Sequence, residues 1–264
     1  MAFLAVSAVA IAANLNGSGT QGEDKFGIGF DGEYVFKRKM ETKLYPLIPD
    51  SGQIILEKSV SIDEMYRGMA TLSYGILDNL DIYLKVGTAA LKVRSDYKTT
   101  WTSNGYELGK LKINAYDDLA YGAGVKGKFN FKYDWILGAD FQGLRHRNDF
   151  KATIPFTDYN SSGVQIDSGT DYFYGKVTAL EWRVAPYIAK KLGNFTPYVG
   201  GEYSDIRLKS KIRSTETLDF RFRADKIFGA FCGLDYKISD NLNLNAEGRF
   251  LDQTAAGISV NYVF

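Results

Sequence analysis

From Lys25 to the last residue, apolar and polar side chains alternate with a period of two. Successive side chains of a strand point to opposite faces, so this is the pattern of sheet, not helix. It persists to the chain end. In Gly257–Phe264, the residues Ile258, Val260, Tyr262 and Phe264 share one face, and Gly257, Ser259, Asn261 and Val263 the other. A terminus left free in water frays. A last strand with one continuous apolar face must instead be paired, with that face turned towards something apolar.

The composition agrees with strands joined by turns: 18 Tyr and 17 Phe accompany 27 Gly and only 5 Pro in 264 residues. Lys plus Arg (32) balances Asp plus Glu (31), which gives nucleic acid no basic field to bind. A single cysteine, Cys232, excludes an intramolecular disulfide and a multi-cysteine metal site. No run reaches the roughly 18 to 20 apolar residues of a membrane-spanning helix. Phe3–Ala13 reads as a secretory signal peptide, with Ala8-Val9-Ala10 and Ala10-Ile11-Ala12 as small-x-small cleavage sites. It lacks a preceding basic residue, so an apolar strand is the alternative. The expected division is signal peptide 1–13, linker 14–24 and barrel 25–264.

Ten alternating runs can be counted. Short turns fall at 77–79, 130–133, 190–194 and 239–241. Longer connections are expected at 37–65, 94–115, 147–172 and 209–219, with a short fifth near Asp252 to Ala255. Tight turns at one end and long loops at the other mark a membrane barrel, and an even strand number puts both termini at the tight end. The predicted fold is all-β, a closed antiparallel up-and-down transmembrane barrel of ten strands. Gly-rich polar faces, aromatics near the ends of the apolar runs and strands of about ten residues favour lipid outside. A soluble lipocalin-like or avidin-like barrel is the alternative.

The terminal run Ile258, Val260, Tyr262, Phe264, with the alternation from Lys25 onward, resembles the β-signal of bacterial outer-membrane β-barrel proteins. The resemblance implies recognition by the barrel-assembly machinery and residence in a Gram-negative outer membrane with periplasmic termini. A monomer is expected.

Strand parity assigns a balanced set of charges to the lumen: Asp31, Glu33, Arg67, Lys85, Lys126, Asp140, Glu181, Arg183, Glu202, Arg221, Arg223, Asp235, Glu247 and Arg249. Such a wall fills itself with ion pairs. The expected role is structural or surface-interacting, with a narrow porin-like channel and a rim-site hydrolase as alternatives. Omptin proteases also use ten strands, with carboxylates and a histidine-bearing acidic pair at the rim. The one histidine here, His146, stands between Arg145 and Arg147 with Asp149 as its nearest orienting carboxylate, and no Asp-x-His pair exists. No enzyme, metal or cofactor is expected. Finally, Arg207, Lys209, Lys211 and Arg213 continue the lipid-facing parity of Pro197, Val199, Gly201 and Tyr203, which would place a cationic ladder at the level of lipopolysaccharide phosphates and let it bind them; a solvated hairpin whose charges only keep an exposed edge soluble is the alternative.

Overall fold

The computed structural model describes residues 17–44, 53–55, 60–100, 105–213 and 218–264; the segment read as a signal peptide lies outside them. Among the described residues the strands are β1 (Phe26–Leu44), β2 (Gln53–Ile55), β3 (Val60–Leu77), β4 (Leu80–Thr100), β5 (Tyr106–Asn130) and β6 (Trp135–Tyr159). They continue as β7 (Gln165–Lys190), β8 (Phe195–Arg213), β9 (Leu218–Ala224), β10 (Phe228–Lys237), β11 (Leu242–Phe250) and β12 (Gln253–Val263). All pairings are antiparallel, and the sheet closes where β1 pairs with β12, from Gly27↔Val263 to Arg38↔Gln253.

Closure happens twice, with different strand numbers. At the short-turn end the ring runs through β1, β3 to β8, β10, β11 and β12, which is ten strands. The β11–β12 hairpin then stops at Phe250–Gln253, and beyond it β9 pairs with both β8 (Arg207↔Arg223) and β1 (Met40↔Ala224). The far end is therefore an eight-stranded barrel of β1 and β3 to β9. The break Asp225–Ile227 between β9 and β10 lets one chain segment serve both rings.

The two parts are packed with opposite polarity. In the ten-stranded part Phe30, Leu84, Leu137, Phe141, Val199 and Ile258 point outward and are exposed, while Asp31, Lys85, Asp140, Arg183 and Glu247 point inward and are buried. In the eight-stranded part Ile62, Leu91, Ile113, Phe150, Val177, Ile206, Leu208 and Phe222 point inward as one apolar cluster. Lys92, Arg94, Lys112, Lys151 and Lys209 lie on its outside. Irregularities in the ladders mark the boundary, between Val35 and Lys37, Ile62 and Glu64, Ala89 and Leu91, and Ala115 and Ala120. A bulge adds one residue and so exchanges the faces of the strand beyond it.

This corrects the expected loops. The segments 37–65, 94–115, 147–172 and 209–219 are largely strand, since β1 runs on to Leu44, β4 to Thr100, β6 to Tyr159 and β8 to Arg213. Their polar character comes from outward side chains that stand beyond the apolar belt, not from irregular backbone.

Candidate functional site

The lumen of the ten-stranded part is the most chemically dense region of the molecule. Arg67 on β3 bonds Glu33 on β1 at 2.9 Å and also pairs with Glu181 on β7. Arg249 on β11 reaches Glu33 at 3.0 Å and Glu247 at 2.8 Å, so Glu33 is shared between two guanidinium groups. Arg183 lies 3.6 Å from Glu202 and 3.9 Å from Asp140, and Lys85 bonds Asp31 at 3.0 Å. Tyr83 donates to Asp140 at 2.8 Å and Tyr198 to Glu247 at 2.9 Å. The rings approach closely because glycine faces them: a Cβ at Gly138 would come within 2.3 Å of Tyr187, and one at Gly233 within 2.2 Å of Tyr198. That is why the polar face of the sequence is rich in glycine. In a buried network each charge must be compensated, since removing a partner leaves an ion stranded.

Of the lumen residues expected from parity, Asp31, Glu33, Arg67, Lys85, Lys126, Asp140, Glu181, Arg183, Glu202, Glu247 and Arg249 are buried inside. Asp235 is at the mouth, bonded to Ser18 and Asn245. Arg221 and Arg223 are not in the lumen. The break at Asp225–Ile227 reverses parity, so in β9 it is Phe222 and Ala224 that join the inner apolar cluster, and the two arginines face outward. Two members escaped the parity reading. Arg38, with no exposed surface, bonds Glu181 at 3.0 Å and Ser204 at 2.9 Å, and lies 3.6 Å from Asp252. Asp252 sits in the β11–β12 turn over Gly229, where a Cβ would fall 2.0 Å from its Oδ1. The charged triplet Lys37-Arg38-Lys39 breaks the alternation and was the available sign of the bulge.

Both ends of this network are covered. Above it lies the apolar cluster of the eight-stranded part. Below it residues 17–24 enter the mouth: Ser18 donates its N–H to Asp235 at 2.6 Å, Gln21 its N–H to Asp81 at 2.9 Å, and Lys126 and Tyr187 donate to the carbonyls of Gly17 and Ser18, each at 2.9 Å. The space left around them is an open polar cavity of about 350 Å³, lined in part by Lys128, Lys191, Asp240 and Asn243.

His146 is inside the barrel and buried. Its Nδ1 contacts Asn148 Oδ1 at 2.5 Å, and Asn148 donates to the carbonyls of Ala89 and Tyr116 at 2.6 and 2.7 Å. Ala89 of β4 and Tyr116 of β5 flank the irregular pairing between these two strands, so the pair ties down a bulge. Asp149 faces the other way and bonds Lys176 at 2.9 Å. Among the described residues no group of three or more His, Cys, Asp or Glu side chains has the arrangement of a metal site.

The apolar belt of the wall ends in aromatic contacts. Phe26–Tyr74, Phe195–Tyr236 and Tyr262–Phe264 lie at the short-turn end, and Trp182–Tyr203 and Tyr203–Phe228 near the boundary with the eight-stranded part. Ile258, Val260, Tyr262 and Phe264 are all exposed on that belt. Arg207, Lys209 and Lys211 stand outside it on β8, and the backbone of Arg213 extends the same strand opposite Tyr174.

No family model matches the chain, and no curated protein matches it. Solved structures do. The outer-membrane protease OmpT from Escherichia coli aligns over 90% of this chain and 94% of its own with a TM-score of 0.52 at 11% identity. The fold is that of an outer-membrane β-barrel. OprG from Pseudomonas aeruginosa (TM-score 0.32, 12% identity, 92% of this chain and 98% of its own) and the CymD monoaromatic hydrocarbon channel (0.38, 8%, 92% and 89%) also align. At these identities the likeness concerns fold alone.

Proposed function

We propose that this chain is an integral protein of a Gram-negative outer membrane whose barrel is occluded, and that its role is structural or surface-interacting, neither conducting nor catalytic. The observation that carries the reading is the filling of the lumen in three layers: residues 17–24, the ion-pair network and the apolar cluster. A solute would have to displace paired charges and then a dry core. The strands that rise beyond the belt present their polar faces outward and supply the working surface. The short turns and both ends of the described chain lie together, where Phe264 donates its N–H to Phe26, and this end faces the periplasm. Ile258, Val260, Tyr262 and Phe264 serve as the assembly signal read by the barrel-assembly machinery, and the protein works as a monomer.

Planar-bilayer recording of the purified protein tests the closed lumen. The expected result is no current above that of protein-free membranes, while a persistent ohmic current would establish the narrow channel instead. Deleting Phe264 tests the assembly signal: the heat-modifiable folded band should diminish in outer-membrane fractions with synthesis and export unchanged.

A further inference from the structure

The reversal of Arg221 and Arg223 creates a site that neither strand has alone. On the outer wall Arg207 lies directly across the ladder from Arg223, and Lys209 from Arg221, while Lys176 of β7 faces Lys211. Like charges directly opposite in an antiparallel pair repel and destabilise the sheet. On the opposite wall Lys92 bonds Glu64 at 2.6 Å and Arg94 bonds Asp63 at 3.2 Å, with Lys112 as the one further cation directly across from Arg94. Across β8 and β9 the neutralisation is incomplete. Asp205, itself buried, takes Arg207 Nε at 3.1 Å and Arg223 Nε at 2.9 Å, so one carboxylate serves two guanidinium groups. Lys176 is matched by Asp149. Glu41 of β1 stands in register with Arg223. Among the described side chains, five cations (Arg207, Lys209, Lys211, Arg221, Arg223) thus face two carboxylates, Asp205 and Glu41. Lys209, Lys211 and Arg221 have no ion-pair partner among the described side chains.

The patch has a fixed height. It begins just beyond the cluster of Trp182, Tyr203 and Phe228, where the apolar belt ends. Neighbouring cations are spaced about 5 Å across the ladder and about 7 Å along the strand, close enough for a single phosphate to accept from two side chains. Guanidinium binds phosphate bidentately and ammonium as a point charge, and both occur here.

We propose that the outer wall of β8 and β9 is a docking site for the phosphorylated sugars of lipopolysaccharide in the surrounding leaflet, with Arg207, Lys209, Arg221 and Arg223 as its phosphate-binding square and Lys211 at its upper edge. The aromatic cluster beneath sets the depth at which the lipid is held. The proposal rests on the membrane orientation given above; the test below is made in detergent, where orientation plays no part. The purified protein is mixed with defined lipopolysaccharide and examined by native mass spectrometry beside two variants. One carries R207Q, K209Q, R221Q and R223Q. The other loses equal charge on the opposite wall through K92Q, R94Q, K110Q and K112Q. Retained heat-modifiable mobility establishes that both variants are folded, and if the fourfold patch variant is not, K209Q with R221Q replaces it. The expected result is at least a tenfold loss of salt-sensitive adducts in the patch variant, near-unchanged adducts in the other, and weak binding of dephosphorylated lipopolysaccharide. Undiminished adducts, or equal loss in both variants, would overturn the site. Competition by inorganic phosphate at equimolar concentration would overturn the lipid as its ligand.

Discussion

The ten-stranded and eight-stranded parts use the same strands and the same alternation to opposite ends. Where the outside is apolar the inside carries Glu33, Arg67, Glu181 and Arg249; where the outside carries Lys92, Lys112 and Lys151 the inside is Ile62, Ile113 and Phe150. Period-two alternation specifies a strand with two unlike faces but not which solvent each meets. That is set by the surroundings, and here both solutions coexist on one sheet: along β6, β7 and β8 the inward residues change from polar to apolar at unbroken parity, while bulges in β1, β3 and β5 and the break between β9 and β10 shift which residues face inward. Each part also closes the other. The apolar cluster caps a polar lumen, and the ion network below it is shielded from water above.

Substitutions in matched pairs test this contrast. The largest effect is expected for phenylalanine on β6, where Phe150 is inside and almost fully buried while Phe141 faces outward in the belt. Phe150→Ala should cost about 3 to 5 kcal/mol through the cavity it leaves. Phe141→Ala should cost far less in urea unfolding from lipid vesicles, because lipid fills the space. Equal losses would mean that the eight-stranded part has no core of its own.

Next come the charges. Arg249→Ala removes the guanidinium that Glu33 and Glu247 share in the lumen and should destabilise by about 3 kcal/mol or more. Arg183→Ala should act similarly through Glu202 and Asp140. On the outside of the eight-stranded part, the Lys92–Glu64 pair is well exposed to solvent. A double-mutant cycle there should return under about 1 kcal/mol and shrink with added salt. Shifts below about 0.5 kcal/mol for both arginines would place them in bulk water.

The sequence made the barrel legible because alternation, tight turns and the apolar last strand are local signals. It was also sufficient for most of the lumen, since one parity holds along β6, β7 and β8. It failed where parity changes. Arg221 and Arg223 were placed inside because the run through Phe228 looks continuous, although Asp225–Ile227 interrupts it. Arg38 was lost to a bulge, and Asp252 to a turn that folds back over Gly229. The far halves of the long strands read as loops in the sequence for a related reason: once polar residues face outward, a strand in water resembles a polar connection. The sealing of the mouth by residues 17–24 depends on long-range bonds from Ser18 to Asp235 and Gln21 to Asp81, which no local pattern announces.

The reversal of polarity can be measured directly on β6, which passes through both parts with unbroken parity. Single cysteines replace Leu137, Phe141, Arg147, Lys151 and Ala152 in turn in a Cys232→Ser background, and each protein is reconstituted in lipid vesicles and treated with a charged, membrane-impermeant maleimide. Rapid labelling is expected at 147 and 151, with protection by lipid at 137 and 141 and by the apolar cluster at 152. Rapid labelling at 152, or protection at 147 and 151, would contradict the reversal.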